Sequence, residues 1–296
     1  MTHALTPAVS VIIPTYNDAS RLRYCLQALA TQTLSRDSFE VIVVDNGSTD
    51  DTSAVLEEFP WVHAAREERP GSYAARNRGL ELARGDLLAF TDSDCIPEPD
   101  WLECALAHMQ AHPEHARIAG RITVFFRDPD RPTGVELYEA MHAFPQERYA
   151  AQGFGATANM VTRRSVFEAV GPFDEALMSG GDNEWGRRAM RSGAVIVFAD
   201  NVSVRHPARR TIGELHRKTM RVHMADWSRT RRASRREWLV LLGRSLRPPA
   251  RTVWRARRHA LMHNRMNWAR YALGATMSRY DGAWATLRTR IGSRGR

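Results

Sequence analysis

Two carboxylates one residue apart, Asp92-Ser93-Asp94, stand at the end of the apolar run Leu87-Leu88-Ala89-Phe90. An acidic pair at the mouth of a buried strand can hold a hard divalent cation. Mg²⁺ and Mn²⁺ take few protein carboxylates and complete their shell with water and substrate phosphates. A bare Asp-x-Asp is weak by itself, because 16 Asp in 296 residues produce roughly one such pair by chance. Asp128-Pro129-Asp130 repeats the spacing, but it follows Phe125-Phe126-Arg127 and encloses a proline, which predicts a turn. Cys95, beside the pair, reads as a small buried apolar residue.

The elements that must position this pair alternate between strand and helix. Residues 8–13 form a β-branched run that is expected to stop at Pro14, which cannot donate to a ladder. Thr15-Tyr16-Asn17-Asp18 then offers capping side chains ahead of Leu22, Cys25, Leu26 and Leu29, a helical spacing. A second strand, 39–44, ends on Asp45-Asn46-Gly47-Ser48-Thr49-Asp50-Asp51 before a helix at 52–58. A third unit runs from Trp61 to Arg66 and through Arg69-Pro70-Gly71-Ser72 into a helix carrying Arg76, with Ser72 able to cap it. The fourth strand, 86–91, delivers Asp92 and Asp94. This order predicts a parallel sheet with right-handed crossovers, whose ligands gather at the carboxyl ends of the strands. Arg76 there either reaches phosphate oxygens bidentately or is an ordinary solvated arginine.

Farther on, the pattern predicts a helix at 97–110, a strand at 118–126, a helix at 135–144 and a Gly/Ala-rich strand at 153–161. Its small residues leave room for a ligand or for close backbone packing. A turn at 170–175 precedes Ser179-Gly180-Gly181-Asp182-Asn183-Glu184-Trp185 and a helix through Arg191, where Asp182 could serve simply as a cap. An apolar strand at 194–198 leads on to Arg205-His206-Pro207.

Composition is globular, 43% hydrophobic and 25% charged. The sequence holds no apolar run long enough to cross a bilayer and no basic-then-apolar leader, so neither a membrane span nor a secretory signal is expected. Three cysteines without Cys-x-x-Cys spacing predict no disulfide framework or cysteine zinc site and fit a reducing cytosol. Net charge is +9, yet residues 228–296 alone carry +16, from eighteen Arg against Glu237 and Asp281, which leaves −7 on residues 1–227. Such asymmetry concerns partners. Within the tail, Met262, Met266, Ala269, Leu273, Tyr280, Trp284 and Leu287 recur at helical steps, with Arg265, Arg270, Arg279 and Arg288 on other faces. This helix either packs on the body or lies on an anionic membrane, the second being preferred for a protein on the inner face of the cell membrane. Nucleic acid ranks well below, since no nucleic-acid module accompanies the arginines.

Pro14-Thr15-Tyr16-Asn17, Val44-Asp45-Asn46-Gly47-Ser48-Thr49-Asp50, Ala75-Arg76-Asn77-Arg78-Gly79, Asp92-Ser93-Asp94 and Gly181-Asp182-Asn183-Glu184 follow one another over about residues 8–210. Together they closely resemble family 2 glycosyltransferases of the GT-A fold. The resemblance implies a Rossmann-like α/β/α sandwich on a mixed, mostly parallel sheet, with a catalytic domain over 1–227. Its nucleotide-binding half would cover about 8–95 and its acceptor half about 96–210, with 228–296 a helical Arg-rich extension. It implies Mn²⁺ or Mg²⁺, inversion at the anomeric carbon, and a nucleotide-diphospho-sugar donor, UDP foremost with GDP or dTDP as alternatives. The acceptor would be a glycan or a lipid-linked glycan of the cell envelope.

Carried over by residue, the resemblance makes Tyr16 and Asp45 base-binding positions, with Pro14, Thr15, Asn17 and Asn46 in the same wall. Arg76 would approach the nucleotide or diphosphate. Asp92 would meet the ribose or metal, Ser93 would join the nucleotide-sugar site, and Asp94 would ligate the metal directly. Asp182 matches the general base, and His206 is either a further metal contact or a structural histidine. Many relatives carry an acid where Gly181 stands, so Glu184 is a second catalytic candidate. Two rival readings are a sugar nucleotidyltransferase, disfavoured because Pro14 to Asn17 replaces a Gly-rich basic loop, and an inactive binding protein, disfavoured by the intact carboxylate set.

Overall fold

The computed structural model describes residues 6–225 and 235–291. The expected boundary at 227–228 and part of the basic tail lie outside the described residues. The chain divides into two compact units, one of Met1–Thr123 and Phe144–His206, the other of Val124–Ala143 and Pro207–Arg296.

The first unit is built on a sheet ordered β3-β2-β1-β4-β7-β6-β8-β5. Its parallel half comprises β1 (Val9–Thr15), β2 (Phe39–Asp45), β3 (His63–Arg66) and β4 (Leu87–Thr91). The remaining strands are β5 (Ile96–Pro97), β6 (Arg117–Phe125), β7 (Asn159–Arg163) and β8 (Ile196–Pro207). β7 runs antiparallel to both β4 and β6, so the sheet is mixed.

Helices α1 (Ala19–Ala30), α2 (Thr52–Glu57) and α4 (Trp101–Ala111) cover one face, where Val9, Val11 and Ile13 join Leu22, Leu26 and Trp101 in one core. Helices α3 (Ser72–Leu82), α7 (Arg164–Val170) and α8 (Gly181–Arg191) cover the other, where Ile12, Ile42 and Phe90 meet Phe167 and Trp185. Alternate residues of β1 thus serve opposite layers, which is why its interior is apolar on both sides except at buried Ser10, whose hydroxyl donates to Glu40 (2.6 Å).

Local differences from the sequence reading have physical reasons. β1 continues through Pro14 to Thr15, because pairing with β4 has ended at Ile12 and Pro14 keeps a partner only on β2. Asp18 stands at the start of α1 but caps nothing, its carboxylate being taken by Arg21 and Ser93. Gly71, with φ +121, rather than Ser72 occupies the cap of α3. The strand expected at 153–161 is confined to β7. Its approach is held as a loop by Gln146 of α6 (Gln146–Ala151), whose amide accepts from Ala156 N (2.8 Å) and donates to Asn159 O (2.9 Å). Asp128-Pro129-Asp130 is a turn closed on the Asp128 carboxylate.

The second unit is helical: α5 (Gly134–His142), α9 (Ile212–Ala225), α10 (Arg235–Leu246), α11 (Ala250–Ala256) and α12 (Arg265–Ile291), with α12 touching each of the others. Leu137, Ala256, Met262, Tyr271 and Ala275 form its core. Gly134 and Gly274 let α5 and α12 meet backbone to backbone: a Cβ on Gly274 would stand 2.1 Å from Gly134 O. Buried Glu139 accepts from Arg209 (3.0 Å) and Lys218 (2.7 Å). Met266, Leu273, Tyr280 and Trp284, part of the expected apolar stripe, are exposed, while Tyr271 and Ala275 face inward. Among the described residues no helix is long and apolar enough to cross a membrane.

Candidate active site at the carboxyl edge of the sheet

Parallel pairing of β1, β2 and β4 brings Thr15, Asp45 and Thr91 to one edge, and the chain leaves β4 directly into Asp92-Ser93-Asp94. Tyr16 presents a ring 62% exposed beside this edge. The loop after β2 is folded back on itself, with Asp45 accepting from Ser48 N (3.0 Å). Asn17, in the left-handed region at φ 49, accepts from Thr49 N (2.7 Å) and donates its own N–H to Ser48 Oγ (2.9 Å). Asn46 donates to Glu67 O and Arg69 O and accepts from Gly71 N. Both asparagines therefore hold the loops around the edge through their amides.

Arg76, only 4% exposed, projects from α3 and donates to Asp92 and to Ser72 O. Its Nε is buried with no hydrogen-bond partner, and so is Thr15 Oγ1 at the tip of β1. Buried unsatisfied donors are uncommon, and one here leaves a hydrogen-bond direction that a ligand or water at this edge can complete. Asp182, at the start of α8, donates its N–H to the Tyr73 hydroxyl (3.2 Å) and accepts from Asn183 N (2.9 Å). Burial raises the Asp182 carboxyl above the usual range; Asn183 and Arg76 pull it down in part, and the charge of Asp92 raises it again.

Asp94 Oδ1 lies 3.5 Å from Nε2 of buried His206, whose ring packs on Phe144 at 4.7 Å. Arg21 approaches Asp94 Oδ2 at 3.6 Å. Ser93 donates to Asp18 (2.7 Å). The donor atoms of Asp94, Cys95 and His206 lie within 4.8 Å of one another. Burial first, then the charges of Asp94 and Asp92, push the Cys95 thiol well up, and it donates to Ala158 O. A protonated thiol is a poor ligand for a hard ion. Asp94 and His206 therefore fit a divalent cation, with Asp92 already engaged by Arg76.

The structure thus gathers Tyr16, Asp45, Arg76, Asp92, Asp94, Asp182 and His206 on one unit. Glu184 is directed elsewhere: it accepts from Arg188 one turn on (2.9 Å), which in turn donates to Val170 O and Pro172 O. The sequence reading gave Asp18 only a capping role and passed over Arg21 and Tyr73. The Asp18-x-x-Arg21 spacing at a helix start was a readable sign of an ion pair, whereas nothing local to Tyr73 announces its contact 109 residues away.

The family model Glycosyl transferase family 2 matches residues 10–171. Glycosyltransferase AglE of Haloferax volcanii is 37% identical over 256 residues, covering 82% of this chain and 83% of that protein. In fold, the chain is similar to the mannosyltransferase PcManGT of Pyrobaculum calidifontis, solved in complex with GDP-Man and Mn²⁺. That likeness has TM-score 0.60 and 20% identity, over 98% of this chain and 88% of that one. It is also similar to S. aureus TarS 1–349 in complex with UDP, at TM-score 0.55 and 18% identity, over 97% and 91%. An eight-stranded mixed sheet with these motifs at its carboxyl edge, matched by the family model and by a relative over most of its length, makes this chain a member of glycosyltransferase family 2 with the GT-A fold.

Proposed function

We propose that the enzyme moves a sugar, with inversion, from a nucleotide-diphosphate donor to a hydroxyl acceptor, using a divalent cation. The observation that carries this reading is the convergence of Arg76, with its unsatisfied buried Nε, on Asp92 beside Asp94 and His206. The similar mannosyltransferase solved with GDP-Man and Mn²⁺ supports both the donor class and the metal. Asp94 and His206 would hold the ion, which when bound supplies positive charge for the departing diphosphate. An imidazole donor favours Mn²⁺ over Mg²⁺.

The chain's own groups do the rest. Tyr16 stacks on the base and Asp45 accepts from it. Arg76 donates Nε to a diphosphate oxygen while Asp92 orients it. Asp182 takes the proton of the acceptor hydroxyl as its oxygen bonds to the anomeric carbon. The carbon–oxygen bond to the phosphate breaks, and its electron pair leaves with the nucleoside diphosphate. Glu184, committed to Arg188, is the weaker choice for this proton.

The acceptor is proposed to be a glycan or lipid-linked glycan, with residues 228–296 meeting an anionic membrane. The exposed Met266, Leu273, Tyr280 and Trp284 beside many arginines support this. Equal liposome flotation with and without 228–296 would refute the membrane contact. The donor is tested with a panel of nucleotide sugars and Mn²⁺ or Mg²⁺, reading nucleotide release and thermal protection. Failure of every donor to protect or turn over would overturn the reading.

A further inference from the structure

His108 of α4 and His112, Glu114 and His115 of the turn that follows it converge on one another. His112 Nδ1 lies 3.2 Å from Glu114 Oε1, and His115 Nε2 lies 3.5 Å from the same oxygen. The donor atoms of His112, Glu114 and His115 are all within 4.8 Å of one another. His115 Nδ1 stands 3.1 Å from His108 Nε2, with the two rings stacked at 5.3 Å.

The backbone beneath them is fixed. His112 N donates to His108 O and His115 N to His112 O, both at 3.0 Å. Arg163 of β7 donates to the carbonyls of Met109 (2.7 Å), His115 (3.0 Å) and His112 (3.4 Å). A single guanidinium from the sheet thus pins the turn at three points, while His112 and Glu114 keep their side chains half-exposed.

We propose that His112, Glu114 and His115 form a binding site for a transition-metal ion of borderline softness, Zn²⁺ foremost, with His108 as its supporting hydrogen-bond partner. Two imidazoles and one carboxylate suit zinc, whereas Mg²⁺ selects oxygen donors in an octahedral shell. Four ligands at 2.0–2.2 Å in a tetrahedron stand about 3.3 Å apart. The two separations to Glu114 already match, and rotation of the half-exposed His112 closes the third.

A zinc-bound histidine normally donates its other ring N–H to an acceptor that sets its tautomer. With Nε2 of His115 toward the ion, Nδ1–H falls to His108 Nε2.

This site is separate from the carboxylate edge. Arg163, which holds the turn, pairs with Leu87 at the start of β4, whereas Thr91, at its end, pairs with Asn159. The ion's role is therefore to tie the end of α4 to the loop before β6, and the site does not depend on the glycosyl-transfer reading.

The test uses tag-free full-length chain, stripped by chelator and titrated with Co²⁺ and Zn²⁺, reading the visible absorption of Co²⁺ and thermal unfolding. With the carboxylate-edge site removed by Asp94→Asn, one equivalent should bind in the presence of excess Mg²⁺ and raise the melting temperature by roughly 5 °C at saturation. Binding should persist in Asp94→Asn, weaken about tenfold in His108→Ala, and weaken at least a hundredfold in His112→Ala/His115→Ala. The metal-free melting temperature of the double variant reports its fold; should it not fold, Glu114→Gln carries the same test. Unchanged affinity in the ligand variants, or no binding below millimolar metal, would overturn the proposal.

Discussion

Gly181 lies against the ring of Tyr73 so closely that a Cβ there would stand 2.7 Å from a ring carbon. The same tyrosine accepts through its hydroxyl from Asp182 N, so one aromatic side chain both excludes any side chain at 181 and fixes the start of α8. This gives a physical reason for glycine at a position where the resemblance leads one to expect an acid: the space belongs to Tyr73.

Gly181→Ala should therefore destabilise the fold by about 1–3 kcal/mol through overpacking, although alanine ordinarily favours a helix. Urea unfolding measures it, and an alanine variant as stable as the parent would show that Tyr73 yields.

Asp182→Asn should keep donor binding and lose at least 100-fold in transfer, whereas Glu184→Gln should cost only the Arg188 ion pair, about 0.5 kcal/mol. Donor titration alongside turnover separates the two. Transfer in Asp182→Asn at the parental rate would remove it from the reaction.

Burial raises the Asp182 carboxyl in the fold. Transfer should accordingly rise with pH through a point above the ordinary carboxylate range, a limb that Asp182→Asn should lack. The sign for stability is opposite: a raised folded-state pKa favours the fold below the unfolded value and loses that benefit as pH rises through the folded one. At neutral pH Asp182→Asn should melt higher than the parent, which calorimetry reads directly.

His206→Ala should raise the Mn²⁺ concentration for half-maximal activation tenfold or more, and Asp94→Asn should abolish activation. Manganese electron paramagnetic resonance titration gives the same ranking without turnover. Equal Mn²⁺ affinity in all three proteins would place the ion elsewhere.

Glu139, buried between Arg209 and Lys218, is held below the usual carboxylate range: burial pushes it up, but the two cations outweigh that. Its contribution is present above the unfolded pKa and is lost as pH falls through the folded one. Glu139→Gln should cost about 3 kcal/mol at neutral pH and flatten that acid limb, as read by denaturant melts across pH.

β1, β2 and β4 were legible because each is a largely apolar run ended by polar turn residues, and that pattern also gives the edge where Asp45, Asp92 and Asp94 gather. The late start of β7 was not, since Gln146 holds residues 156–159 through side-chain bonds that leave no periodic trace. The stripe of Met266, Leu273, Tyr280 and Trp284 was readable, yet it is the outward face of α12; the inward one relies on Tyr271, small residues and Gly274. Reading the site from sequence gave the carboxylates but not their neighbours Tyr73 and Arg21, whose roles arise from contacts between distant segments.

The helical unit joins residues 124–143 to partners that begin only at 207 and end within α12. During translation the buried side of α5 leaves the ribosome about 120 residues before the start of α12, a wait of roughly 6–24 s at ordinary synthesis rates. Over that interval Leu137 has no α12 to meet, although Lys218 reaches Glu139 partway through, so a nascent chain halted before 265 should be an aggregation-prone, protease-sensitive species even though its whole sheet has already been made.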